Sequence, residues 1–105
     1  MEAFPREIEA YARDDGSSPF QEWIEGLDFK TRAIILKRIE RVSKGNFGDC
    51  EAVGDGVFEL RFDVGPGYRV YFGQVDKTVY LISGGTKRNQ QKDIEAAKTL
   101  WRNHD

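Results

Sequence analysis

Between Phe58 and Phe72 the chain alternates apolar and polar residues on either side of Gly65-Pro66-Gly67, a pattern that leaves it little choice of structure. Phe58, Leu60 and Phe62 interleave with Glu59, Arg61 and Asp63, the period of a half-buried strand. After the turn, Tyr68, Val70 and Phe72 resume the alternation with Arg69 between them. Matching the apolar faces predicts a β-hairpin with Phe62 opposite Tyr68, Leu60 opposite Val70 and Phe58 opposite Phe72. That register sets Arg61 opposite Arg69, because directly paired residues share a face. Facing like charges cost stability unless neighbouring acids or a bound anion offset them. Two readings follow: a paired-arginine site for phosphate, or a surface salt-bridge ladder completed by Glu59 and Asp63.

A chain of 105 residues is expected to form one domain, residues 1–105, with a single modest core. No apolar run approaches the roughly 20 residues that span a bilayer. The N-terminus carries Glu2, Glu7 and Glu9, and no secretory signal is expected from it. Cys50 is the sole cysteine, which excludes an internal disulfide and fits a reducing cytoplasm. It stands between Asp49 and Glu51, acids that disfavour a thiolate. His104 is the one histidine and is expected to fray at the C-terminus. One His and one Cys do not make a zinc site, and no metal or other cofactor is expected.

A formal charge of −2 and a pI near 5.5 argue against a generally basic nucleic-acid-binding surface. The charge is uneven, however. Residues 1–28 hold eight acids against Arg6 and Arg13, whereas residues 29–44 hold six basic residues against Glu40.

Outside the hairpin, Arg6–Ala12 reads as a first strand and Asp14–Ser17 as a turn. Ser18-Pro19 supplies an N-cap and a first-turn proline, with Gln21 at the capping-box position. The helix that follows carries Phe20, Trp23, Ile24 and Leu27 at i, i+3, i+4 and i+7. Asp28 caps a second helix with Ile35, Leu36, Ile39 and Val42 as its apolar stripe, closed by Lys44-Gly45. Its Lys30, Arg32, Lys37, Arg38, Arg41 and Lys44 read as a solvated face, with contact to RNA phosphates as the other use. Residues 45–56 lack periodicity and read as a loop. Thr78–Ser83 is a third strand of the meander, ended by Gly84-Gly85. The last helix holds Ile94, Ala97 and Trp101; Trp101 and Trp23 read as core, and Tyr68 joins them by alternation. The order β-α-α-β-β-β-α predicts an α+β domain, a mostly antiparallel sheet of three to four strands with helices on one face.

Several segments, in order and spacing, resemble the RelE/ParE superfamily of toxins, and most of all its phage-derived, HigB-like branch of addiction module killer proteins. They are Asp15-Gly-Ser-Ser-Pro19, Trp23-Ile-Glu-Gly-Leu27, Glu59-Leu-Arg61, Gly67-Tyr-Arg-Val-Tyr71, and Gly84-Gly-Thr-Lys87 with Gln91 and Asp93-Ile94. The resemblance implies a RelE-like fold and the toxin of a bacterial type II toxin–antitoxin module. It implies as partners a cognate antitoxin, often a helix-turn-helix protein encoded next door, together with the ribosome and mRNA. Cleaving members of the superfamily are metal-free endoribonucleases in which an RNA 2′-hydroxyl attacks the adjacent phosphate. Carried over on matching positions, Arg61 and Arg69 are the phosphate-holding arginines, and Lys87 or Arg88 meets the transition-state or leaving-group charge. Tyr71 is placed to stack on a base.

The match is incomplete. Lysines of the well-studied branch align with Val57 and Glu59, and a tyrosine of its last helix aligns with Ile94. Glu59 is left either as a general base or as a group that neutralises the two arginines. The alternative activities are a non-enzymatic ParE-like inhibitor of gyrase or another target, and an inactive prophage remnant.

Overall fold

The computed structural model describes residues 4–103, so His104 lies outside the described residues. Strand β1 (Glu7–Ala10) leads into helices α1 (Pro19–Glu25) and α2 (Phe29–Ser43). Four strands follow, β2 (Cys50–Gly54), β3 (Val57–Arg61), β4 (Tyr68–Val75) and β5 (Thr78–Thr86), then a 3-10 turn (Lys87–Asn89) and helix α3 (Gln90–Arg102). The five strands form one sheet in the order β1-β5-β4-β3-β2. Only β1 pairs in parallel, with Glu7 beside Thr78 and Ala10 beside Leu81. The α+β class holds, with one strand more than expected.

The extra strand is β2, in the segment read as a loop. Cys50 pairs with Leu60, and Ala52 with Phe58. A tight turn closes this hairpin, with Asp55 at φ 56° and Gly56 at φ 80°. Two successive positive φ values define the type I′ turn that matches strand twist, and Asp-Gly is its preferred sequence. Arg38 ties the preceding loop down: its guanidinium donates to the carbonyls of Phe47, Asp49 and Arg61 at 2.7–3.1 Å. It is therefore a structural side chain and not part of a solvated face.

The central hairpin has the expected register: Phe58 faces Phe72, Leu60 faces Val70, and Arg61 faces Arg69. The Phe62 amide donates to the Tyr68 carbonyl at 3.0 Å, continuing the pattern toward the turn. Strand β5 does not stop at Gly84-Gly85. It runs on to Thr86, pairing Gly84 with Val70 and Gly85 with Arg69. The glycines leave room for side chains that lie flat on the strand: a Cβ on Gly84 would overlap the Trp23 ring, and one on Gly85 would overlap the Asp93 carboxylate.

Both helix starts are capped as the sequence indicates. The Ser18 hydroxyl accepts from the Gln21 amide at 3.2 Å, and the Asp28 carboxylate accepts from Thr31 at 3.1 Å. Helices α1 and α2 cover one side of the sheet, burying Phe20, Ile24, Ile35, Ile39 and Val42 against Leu60, Phe62, Val70, Phe72, Val79 and Leu81. Leu36 does not join this stripe; it is 47% exposed. Helix α3 covers the opposite side, setting Ala97 and Trp101 against Val57, Tyr71 and Ile82. Helices thus lie on both faces. The reason is that the polar face of the central hairpin is half apolar, and those apolar residues need their own cover.

Candidate functional site

Alternation along β3 and β4 places Val57, Glu59, Arg61, Arg69 and Tyr71 on the α3 side of the sheet. The helix begins only at Gln90; beside its start Arg69 is still buried, 9% exposed, and Arg61 is the more open of the two arginines. Arg61 and Arg69 form a pair of the kind without mutual backbone hydrogen bonds, since the Arg61 amide donates to Asp49 on the other side. Such pairs hold their Cα atoms about 4.5 Å apart, the closer of the two antiparallel spacings.

Glu59 lies between them. It is fully buried, and each oxygen is engaged. Arg61 Nε donates to Oε1 at 2.8 Å, Gln90 Nε2 donates to Oε1 and Oε2 at 3.1 and 2.9 Å, and Arg69 Nε sits 3.9 Å from Oε2. Burial alone would push this carboxyl up. The hydrogen bonds from Arg61 and Gln90, with the Tyr71 hydroxyl facing the same group, outweigh burial and hold it below the ordinary carboxylate range. Arg61 is pulled the other way by the Glu59 hydrogen bond, and it also pairs with Glu51 on β2. Asp63, the other expected member of a ladder, lies beyond the end of β3 and makes no ion pair among the described residues.

Neither guanidinium is used up. Arg69 Nη1 donates to the carbonyls of Gly67 and Tyr68 at 3.1 and 3.2 Å, and its Nη2 has no hydrogen bond to the described residues. Arg61 keeps Nη1 likewise and is one-third exposed at its side chain. Lys87 stands beside them. Its amide donates to the Gly67 carbonyl at 2.8 Å, and its Cβ packs over Gly67, so the exposed ammonium is anchored at the base next to Arg69. Arg88, also exposed, makes no ion pair among the described residues.

Tyr71 is a correction. It is fully buried under α3 and cannot stack on a base. Burial, and then the charge of Glu59, raise its pKa, so the hydroxyl stays protonated. Val57 and Ile94, where the resemblance would have a lysine and a tyrosine, both pack into the α3 core.

The α3 start adds two groups that were not singled out as site residues. Gln90 orients Glu59 as described. Asp93, half-buried, lies over Gly85, the strand partner of Arg69, and burial raises its pKa while Lys92 pulls weakly the other way. The signal that could have found it is the glycine pair: two glycines inside a strand mark close approach by something. Among the described residues no three His, Cys, Asp or Glu side chains group as metal ligands, and no helix is long and apolar enough to cross a membrane.

Residues 22–102 match the family described as Phage derived protein Gp49-like (DUF891). The chain is 48% identical over 83 residues to an uncharacterized protein of Haemophilus influenzae, covering 77% of this chain and 84% of that one. No solved structure matches it. With this match across its helices, its hairpin and the α3 start, the chain belongs to the phage-derived Gp49-like family, which is associated with toxin–antitoxin modules and related to addiction module killers.

Proposed function

We propose that this protein is the toxin of such a module, of RelE/ParE type, and that it arrests translation by cutting ribosome-bound mRNA at the arginine face. The single observation that carries the reading is the facing Arg61–Arg69 pair with guanidinium edges left over and Lys87 pinned alongside. Cations fixed where charge develops supply the largest share of such catalysis.

In the proposed step the 2′-oxygen attacks the adjacent phosphorus and the bond from phosphorus to the 5′-oxygen breaks. A base takes the 2′-hydroxyl proton, and a donor returns one to the leaving oxygen. Arg69 and Arg61 hold the non-bridging oxygens, and Lys87 or Arg88 meets the leaving-group charge. Glu59 is already ionised and saturated with donors, so neutralising the arginines suits it better than abstracting a proton. Asp93, with its raised pKa and its place over Gly85, suits proton transfer better.

The test is induced expression followed by mapping of mRNA 5′ ends within minutes. Cuts at fixed positions within codons, lost when translation is blocked and lost in a folded Arg69→Ala variant, are the expected result. Full toxicity of folded Arg69→Ala would refute the assignment. The engagement of Arg61 by both Glu51 and Glu59 favours a second reading, a non-nuclease inhibitor of a large target. Growth arrest with intact mRNA selects that one, and no growth defect at all points to an inactive remnant.

A further inference from the structure

Helix α2 presents two kinds of surface to solvent, and the fold uses neither. At 3.6 residues per turn, Phe29, Ala33 and Leu36 stack in one line along its outer side. Phe29 is 80% exposed and Leu36 47%, and neither belongs to either core. Next to that line run Lys30, Lys37, Arg41 and Lys44, all exposed. The only acid on the helix, Glu40, reaches just Lys44, at 3.7 Å. Beyond the basic line, Ile34 lips a shallow cavity of about 340 Å³ with Phe62 and Val64 in its wall.

We infer that this outer face of α2 is the docking surface for an acidic amphipathic helix of the antitoxin. The inference rests on the module reading above. An apolar stripe bordered by cations, of which only Lys44 meets an acid among the described residues, is complementary to a helix whose apolar anchors are flanked by Asp and Glu. The 15-residue helix offers a track of about 22 Å, room for roughly four turns of such a partner. An RNA backbone would use the cations but gains nothing from an exposed Phe29 and Leu36, which it would leave in water. The surface lies on the α1–α2 side of the sheet, away from the arginine face. The partner therefore has a place to hold without occupying the site.

The experiment measures, by calorimetry, binding of the product of the adjacent reading frame to the intact chain and to two double variants. F29S/L36S removes the apolar anchors, and K30E/K37E reverses two cations. Lys77→Glu, in the β4–β5 turn, serves as the charge control. Thermal unfolding verifies that each variant is folded, as expected for exposed positions. Each double variant should lose about 30-fold or more in affinity, the size of a hot-spot loss, with the K30E/K37E loss shrinking as salt rises. The control should lose almost nothing. Unchanged affinity in both double variants overturns the docking surface alone. Loss of ribosome binding in K30E/K37E with antitoxin affinity intact assigns the face to RNA and overturns it too. A wild-type dimer split by F29S/L36S gives the surface to a second copy. No binding of the adjacent product to wild-type chain removes the module reading and the inference together.

Discussion

Each face of the sheet carries one tryptophan laid flat on a strand glycine, and the two faces handle it differently. On the α1–α2 side Trp23 covers Gly84, and on the α3 side Trp101 covers Gly73. Trp23 is half-buried at the rim of a core made wholly of apolar side chains. Trp101 is 5% exposed and is wedged among Tyr11 and Tyr80 as well. The first face is apolar along its length. The second is apolar at the Trp101 end and ionic at the Glu59 end, where α3 begins. One face therefore only stabilises, while the other divides its length between an apolar core and a charged cluster in which Glu59 and Arg69 are buried and Arg61 reaches solvent.

The largest effect should come from testing the tighter of the two lids. A Cβ on Gly73 would intrude into the Trp101 ring, which is 5% exposed and held between Tyr11 and Tyr80. Gly73→Ala should cost on the order of 3 kcal/mol or more, the upper end for overpacking. Gly84→Ala meets a ring that can tilt outward and should cost about 1–2 kcal/mol. Urea unfolding of both variants measures the difference, and equal costs would break the distinction between a sealed and a yielding lid.

The ionic end should come next. Removing one member of a buried pair strands the other, so Glu59→Ala should cost about 3 kcal/mol, with Arg61 and Arg69 left facing each other. Glu59→Gln keeps the shape and should cost less. It also removes a pH dependence of known sign. The folded pKa of Glu59 is lowered, so its contribution is present above the ordinary carboxylate pKa and is lost as pH falls through the folded one. The wild-type protein should therefore lose stability on that acid limb, and Glu59→Gln should show a flatter one in thermal unfolding from pH 7 to pH 3.

What the sequence made legible follows the same division. Strict alternation and two capped, periodic helices fixed the central hairpin, its arginine register and the α1–α2 core, because those signals are local. Strand β2 went unread although Asp55-Gly56 is a strong hairpin signal. The four glycines around it suggested a loop, and its pairing partner lies across a turn whose chemistry had to be recognised first. The cover by α3 was out of reach for another reason. Tyr71 alternates correctly onto the arginine face, but whether that face is open at residue 71 depends on where a helix 20 residues later comes to rest. Glu59 and the arginines could be grouped from register, whereas Gln90 and Asp93 join them only through tertiary packing.

The smallest predicted effect is also the one that most sharpens the contrast between stability and activity at the ionic end. Asp93 has a raised folded pKa because burial disfavours its charge. The sign is opposite to that of Glu59: its favourable contribution is present below the unfolded value of 3.8 and is lost as pH rises through the folded pKa. At neutral pH the ionised carboxylate is thus a net cost, reduced by its half-exposure and by its place in the first turn of α3, where a negative charge is favoured. Asp93→Asn should raise Tm by about 2 °C at pH 7, an advantage that disappears near pH 3. If Asp93 moves the proton in the proposed cleavage, the same variant should lose mRNA cutting while gaining stability. A variant that cuts normally would leave Asp93 as a burial cost with no catalytic role and shift the search for the base to the groups around Lys87.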